Sequence, residues 1–227
     1  MKKFLFFFVC ILILSQSAFS KAWQNNLGVG LSGAFSSIGV DKSDEDDITQ
    51  VGYGAEGTYI GLNDVGFTLK GNIAVGLGLS KDISLQDRKT NVGAFENVAL
   101  GAGYSFVHTE SGLFGVTLMG GLEMGQYSIS EKDVVIDGSY YDTTTTISLI
   151  TVSAGVDVFG MYRVSQKIGF FANLEARYII MGSKAKEYKK NPVNSSRKSN
   201  ETKTVSDEAN LFGKIIVHPT FGISWTF

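Results

Sequence analysis

The stretch Leu27-Gly-Val-Gly-Leu-Ser-Gly-Ala-Phe-Ser36 decides the fold class. Its large apolar side chains alternate with glycine, serine and alanine, so one face of an extended chain would be apolar and the other small or polar. An amphipathic helix would instead repeat its apolar residues every three or four positions. The stretch therefore predicts a β-strand whose two faces meet different surroundings.

The same alternation recurs along the rest of the chain and predicts eight strands. We place them at 24–38, 50–61, 65–80, 92–107, 112–129, 144–163, 168–184 and 209–227. The connections alternate in length, with short ones at 63–64, 108–111 and 165–167 and long polar ones at 39–49, 81–91, 130–143 and 185–208. Short turns at one end and long external loops at the other are typical of outer-membrane barrels. The pattern predicts an all-β protein, a closed eight-stranded antiparallel up-and-down transmembrane β-barrel.

The residues that alternate with the apolar ones indicate which face points outward. A soluble barrel holds its apolar residues inside and shows Lys, Glu and Asp on its polar face. Here the polar face is mostly Gly, Ala, Ser and Thr, so we expect the apolar side chains to face lipid. Its few charged residues form a predicted interior charge network of Glu56, Lys70, Glu123, Asp157, Glu175, Arg177 and Lys214. Four acids and three bases suit a closed interior, because an unpaired buried ion is costly.

Aromatic residues on the apolar face cluster near the short turns. Amphipathic rings gather at membrane interfaces, so such a girdle is expected of a bilayer-spanning barrel. The predicted girdle comprises Tyr59, Phe67, Tyr104, Phe106, Phe114, Tyr162, Phe170, Trp225 and Phe227. A thinner girdle of Phe35, Tyr53 and Tyr178 is expected towards the long loops.

The N-terminus has the features of a cleaved signal peptide at 1–20. Lys2 and Lys3 precede an apolar run from Phe4 to Leu14, and small residues follow at Ala18 and Ser20. As a helix the run would span about 16 Å, too short for a hydrocarbon core of about 30 Å. We therefore expect an exported chain whose barrel domain is 21–227.

The composition excludes several functions. The formal net charge of -2 gives no cationic field for tracking phosphates, so we expect no nucleic-acid partner. Only His108 and His218 could act as imidazole bases, one in a predicted short turn and the other inside the barrel, so we expect no enzyme. No motif indicates a cofactor or a metal, and Cys10 lies in the signal peptide.

The C-terminal residues Phe221-Gly-Ile-Ser-Trp-Thr-Phe227 resemble the terminal assembly signal of bacterial outer-membrane proteins. With the signal peptide and eight strands, the chain resembles the small barrels typified by the OmpA transmembrane domain, OmpX and OmpW. The resemblance implies outer-membrane lipid as surroundings, periplasmic chaperones and the barrel-assembly machinery as partners, and an assembly signal made by Phe221, Ile223, Trp225 and Phe227. It also implies periplasmic termini and extracellular long loops.

Three functions remain open at this point. The first is a structural or surface-interaction, adhesin-like protein, expected to be a monomer, whose loops meet a host or surface ligand. The acidic stretch 41–47 and the basic stretch 183–208 are the candidate contact loops. The second is a narrow channel or a carrier of small hydrophobic solutes, and the third is a secreted soluble barrel that binds a lipid.

Overall fold

The computed structural model describes residues 23–40, 48–81, 91–136, 138–192, 207–213 and 215–227. The predicted signal peptide, Lys214 and the acidic stretch 41–47 lie outside these residues. The strands are β1 Trp23–Val40, β2 Ile48–Asn63, β3 Phe67–Lys81, β4 Asn91–His108, β5 Gly112–Ile136, β6 Ser139–Arg163, β7 Ile168–Pro192, β8 Asp207–Phe212 and β9 Ile215–Thr226. Within the described ranges, no helix is long and apolar enough to cross a membrane.

The strands form one closed antiparallel ring. Each of β1 to β7 pairs with the next, and β9 pairs with both β7 and β1. Closure leaves no free edge within the eight-stranded ring, as a barrel in hydrocarbon requires. The predicted fold class, a closed eight-stranded antiparallel barrel, is confirmed.

The last strand differs from the prediction because it is interrupted. The sequence predicts one strand over 209–227, whereas β8 ends at Phe212 and β9 begins at Ile215. Gly213 between them has a φ of 66°, which glycine adopts without steric cost, and its N–H donates to Ile179 O at 3.1 Å. The segment β8 continues the wall above β9, where it pairs with β7 and β1.

The register fixes the tilt of the strands. Following paired residues from Ile60 of β2 once round the ring leads back to Gln50 of the same strand, a stagger of ten residues. For eight strands with ordinary spacings, this stagger corresponds to a tilt of about 41° from the barrel axis. A barrel of this size has an interior that side chains can just fill.

The two ends of the barrel differ in their connections, and we call them the turn end and the loop end. At the turn end the strands are joined at 64–66, 109–111 and 164–167. Asn63 Oδ1 caps the first turn by accepting bonds from the N–H groups of Val65 and Phe67. Arg163 Nη1 caps the second by donating to the carbonyls of Thr109 and Glu110 at 2.9 and 3.1 Å.

At the loop end, the predicted bounds of two long loops are wrong. The predicted loop 130–143 is a strand hairpin with Gly138 at its tip, and the start of the predicted loop 185–208 belongs to β7. These strand parts carry polar residues at successive positions, and the apolar residues Val134, Val135 and Ile136 are also consecutive, so the alternation that marks a strand in sequence is absent. We call the parts of β5, β6 and β7 that extend beyond β4, at 129–136, 139–145 and 188–192, the tall wall.

The apolar side chains point outward, as predicted. Leu31, Val75 and Val152 are 78%, 52% and 38% exposed. All members of the predicted turn-end girdle except half-buried Tyr59 are exposed, as are Phe35, Tyr53 and Tyr178. On β6 the outward residues stay apolar from Tyr162 to Ile150, a height of about 30 Å at the strand tilt, which matches a hydrocarbon core. A soluble lipid-binding barrel would need the opposite orientation.

Candidate functional site

The interior of the barrel is the candidate site, and its turn end is closed by apolar side chains. Six of them form one cluster in which every member is at most 5% exposed: Ile60, Leu62, Leu113, Phe159, Met161 and Phe171. They project inward from β2, β5, β6 and β7 because they occupy the inward positions of these strands. We call this cluster the lower apolar layer.

A buried ion pair lies immediately above the lower apolar layer. Lys70 Nζ lies 2.6 Å from Asp157 Oδ2, and both side chains are fully buried. Thr117 Oγ1 donates to the same carboxylate oxygen at 3.4 Å, and the Lys70 ammonium lies 5.6 Å from the centroid of the Phe159 ring. The pair therefore joins β3 to β6 across the interior, although these two strands are far apart in the sequence.

A second ion pair is formed within β7. Arg177 Nε lies 2.5 Å from Glu175 Oε1, two residues away on the same face. This approach is not aligned as a hydrogen bond, but Arg177 Nη2 donates to Asn97 Oδ1 and Asn72 Nδ2 donates to Glu175 Oε2, at 2.5 and 2.8 Å. The two charged groups are thus held by amides from β3 and β4. Gly121 on β5 makes room for the guanidinium, since a Cβ there would overlap Arg177 Nη1.

The other two acids have no lysine or arginine partner among the described residues. Glu56 accepts hydrogen bonds from Thr220 at 2.8 Å, Asn173 at 3.3 Å and Ser32 at 3.4 Å. Glu123 Oε2 lies 3.0 Å from His218 Nε2. Hydroxyl, amide and imidazole groups therefore solvate these two carboxylates in place of water.

A second apolar layer covers the polar interior at the loop end. It comprises Tyr127, Ile147, Leu149, Ile179, Leu211 and Ile216, none more than 4% exposed. Phe95 lies next to it, with its ring centroid 6.3 Å from that of His218. We call this cluster the upper apolar layer. A cavity of only about 10 Å³ lies beside it, against Phe95 and Tyr127.

A larger cavity lies outside the lower apolar layer, in the mouth at the turn end. It measures about 430 Å³ and is lined by residues that include Trp23, Leu62, His108 and Arg163. Leu62 belongs to the lower apolar layer, so this cavity ends where that layer begins. The six described charges of the predicted network therefore lie between the two apolar layers.

Six of the seven residues predicted to form an interior charge network lie inside the barrel. Glu56, Lys70, Glu123, Asp157, Glu175 and Arg177 are each at most 6% exposed, and Lys214 lies outside the described residues. The structure joins Lys70 to Asp157 and Arg177 to Glu175, while Glu56 and Glu123 stand apart from both cations.

Sequence reasoning missed the neutral partners of these charges. The charged groups are held largely by uncharged polar side chains: Ser32, Asn72, Asn97, Thr117, Asn173 and Thr220. All six occupy the small-residue face of predicted strands, where an amide is unusual. An Asn at an inward position of a predicted strand is the signal that could have identified half of them.

The C-terminal residues line the outer surface at the turn end. Phe221, Ile223, Trp225 and Phe227 are between 43% and 63% exposed, and the Phe170 and Phe221 rings stack at 6.3 Å. Phe227 N–H donates to Asn25 O at 3.0 Å, which ties the end of the chain to β1. Their role as an assembly signal remains a prediction. Across the described residues no group of three His, Cys, Asp or Glu could hold a metal ion.

No family model matches the sequence, and no curated protein matches it. Solved structures do match. The outer membrane protein OprG from Pseudomonas aeruginosa is 12% identical, with 91% of this chain and 97% of that chain covered and a TM-score of 0.51.

Two further structures cover the chain to the same extent. The attachment invasion locus protein Ail of Yersinia pestis is 10% identical over 91% of this chain and 99% of that chain, with a TM-score of 0.45. The outer membrane protease OmpT from Escherichia coli is 9% identical over 91% and 97%, with a TM-score of 0.44. The fold is that of a small outer-membrane β-barrel protein. At these identities the likeness extends to the fold alone.

Proposed function

We propose that this protein is a sealed outer-membrane barrel that serves as a rigid base for surface contacts made by its loop end. The supporting observation is the enclosure of its interior charges between two apolar layers. A conducting pore needs a continuous polar path, whereas here Phe159 and Phe171 close one end and Tyr127 closes the other. The barrel then contributes stability and position, and the parts beyond it make contacts.

The loop end is the part built for contact. Strands β5, β6 and β7 each have 25 residues, against 15 to 18 in β1 to β4. The extra length raises one side of the rim by roughly 20 Å at the strand tilt. A surface ligand would meet this tall wall, the basic stretch 183–208 and the acidic stretch 41–47. We propose an adhesin-like role on these grounds, with no catalytic step and with a monomeric barrel.

The proposed barrel has one orientation in the outer membrane. Both termini and the short turns lie in the periplasm, and the long loops lie outside the cell, as in bacterial barrels generally. The chain reaches the membrane through periplasmic chaperones and the barrel-assembly machinery, with Phe221, Ile223, Trp225 and Phe227 as its assembly signal. The outward aromatic girdle at the turn end supports this arrangement.

Planar-bilayer conductance tests the sealed interior. The wild-type protein should give no channel events, and Glu175→Ala should stay closed because both apolar layers remain in place. Replacing Phe159, Phe171 and Tyr127 together with alanine should open a current. Stepwise current through the wild-type barrel would favour the narrow channel instead. A barrel that gives no current but carries a hydrophobic dye into vesicles would favour the carrier.

Deletion of 193–206 tests the display role. The cut spares all five residue pairs between β7 and β8, two of which, Ala185 with Glu208 and Lys186 with Asp207, a deletion of the whole stretch 185–208 would remove. The truncated protein should keep its heat-dependent gel mobility, the sign of a folded barrel, while cells that carry it lose binding to host surfaces. Loss of folding would contradict display by these loops. So would host binding that stays unchanged both in this deletion and in a second variant that lacks 41–47.

A further inference from the structure

The outward surface changes its chemistry abruptly at the base of the tall wall. On β6 the outward residues pass from Ile150 to Ser148 and then Thr146, and on β5 from Met124 to Gln126 and then Ser128. Ser148 pairs with Gln126, and Thr146 with Ser128, so the four polar residues form two neighbouring rows. The Ser128 and Thr146 hydroxyl oxygens lie 3.3 Å apart. A polar patch therefore begins on the outer surface where the apolar band ends.

One carboxylate lies at this boundary. Glu96 of β4 is exposed and pairs across the strands with Val75 and Met124, both outward and apolar in character. No cation of the described residues forms an ion pair with Glu96. On the other side of the patch, the outward charges Glu187 and Lys189 lie 3.0 Å apart and neutralise each other. The patch as a whole therefore offers hydroxyls, an amide and one negative charge.

We propose that this patch, formed by Glu96, Gln126, Ser128, Thr146 and Ser148, binds the neutral saccharide headgroup of an outer-leaflet glycolipid. The patch continues the apolar band upward, so its contact with lipid depends on the proposed membrane placement. A lipid whose acyl chains lie on Met124 and Ile150 carries its headgroup directly against Ser148 and Gln126. Sugar hydroxyls both donate and accept hydrogen bonds, and so match serine, threonine and glutamine side chains.

The charge on Glu96 selects among headgroups. A carboxylate accepts hydrogen bonds from sugar hydroxyls, and such charge-assisted bonds are stronger than neutral ones. It repels a phosphate placed at the same level, with little screening near the hydrocarbon. The patch should therefore prefer an uncharged, hydroxyl-rich headgroup over an anionic phospholipid.

The test uses the full barrel in phosphatidylcholine vesicles that contain minor fractions of digalactosyl diacylglycerol and phosphatidylglycerol. After extraction in mild detergent, the lipids that remain bound are counted by mass spectrometry against their share in the vesicles. The wild-type barrel should retain the digalactosyl lipid roughly tenfold above its share, as two or three added hydrogen bonds would give. Phosphatidylglycerol should show no excess. Retention at the input ratio, or an excess of phosphatidylglycerol, would overturn the proposal.

Variants separate the patch from the rest of the surface. Ser128→Ala, Thr146→Val and Ser148→Ala combined should bring retention down to the input ratio, whereas the matched pair Ser37→Ala and Thr49→Val, outward on the short side of the loop end, should leave it unchanged. Glu96→Gln should keep the glycolipid and admit phosphatidylglycerol. Unchanged retention in the triple variant, or equal loss in the matched pair, would refute the assignment.

Two controls separate the outcome of the glycolipid test from the test of the proposed function. Heat-dependent mobility and absence of conductance should be the same in wild type and all variants, so a failed glycolipid test leaves the sealed barrel standing. If the triple variant does not insert, Thr146→Val alone should lower retention measurably. Galactosyl glycerol without acyl chains should not displace the bound lipid, and displacement by it would show a free-saccharide site instead.

Discussion

Strands β5, β6 and β7 pass without interruption from the barrel interior into the tall wall, yet the two regions tolerate opposite chemistry. In the interior, Lys70 and Asp157 are fully buried and hold each other at 2.6 Å. In the tall wall region, Lys189 and Glu187 form a similar pair at 3.0 Å with about two-fifths of each side chain exposed. Both pairs are held by strands of the same sheet, and the difference in solvent exposure decides what each ion pair contributes.

The largest expected effect comes from breaking the interior pair. Asp157→Ala leaves the Lys70 ammonium buried without a counter-ion, which should lower the free energy of unfolding by about 3–5 kcal/mol. Urea unfolding in lipid vesicles, followed by the fluorescence of Trp23 and Trp225, measures this difference. A loss below about 1 kcal/mol would mean that water reaches Lys70 and that the interior is not sealed.

The next effect separates outward positions that face lipid from those that face water. Leu31 lies near the middle of the apolar band of β1, and Leu31→Arg should cost about 2–4 kcal/mol. The same change at outward Thr146, on the base of the tall wall, should stay within about 0.5 kcal/mol. The same urea titration compares both variants. Equal costs would place the bilayer elsewhere on the barrel.

Two neighbouring glycines of β5 sharpen the contrast between inside and outside. Gly121 points towards Arg177, so Gly121→Ala forces the guanidinium to move and should cost about 1–3 kcal/mol. Gly120 faces outward with no atom within 4 Å of an added Cβ, and Gly120→Ala should be neutral within about 0.5 kcal/mol. A reversed order of the two costs would contradict the inward direction of Gly121.

The smallest effect belongs to the exposed pair. Glu187→Ala should change the free energy of unfolding by no more than about 1 kcal/mol, because solvent screens both charges before and after the change. Raising the salt concentration should remove even this difference. A cost comparable to that of Asp157→Ala would show that the wall is packed against another part of the chain.

The regions that could be predicted from sequence are those where the two faces of a strand meet different surroundings. In the membrane-spanning part, the alternation located every turn-end connection and the inward position of Glu56, Asp157 and Arg177. In the tall wall, stretches such as Ser139-Tyr-Tyr-Asp-Thr143 show no clear alternation, so the sequence predicts a loop over 130–143 where the structure has a strand hairpin.

Other differences arise from single residues that change the count along a strand. An irregularity opposite Val152 and Ser153 adds one residue, Ile180, to β7. Strict alternation from inward Ile179 would make Lys184 point outward, but the extra residue reverses the alternation and Lys184 is buried. The break at Gly213 divides the last strand. The alternation of side chains predicts neither the extra residue nor the strand break, because both are set by hydrogen bonds to neighbouring strands.

The ten-residue stagger makes every hydrogen-bonded row a spiral. One circuit of the wall rises by about 25 Å, close to the thickness of the hydrocarbon core. Residues joined in a single row therefore lie at different depths, some in one leaflet and some in the other. Residues at the same depth in the membrane have no direct hydrogen bond to each other. A disturbance that propagates along paired amides would travel from one side of the bilayer to the other by going once around the wall.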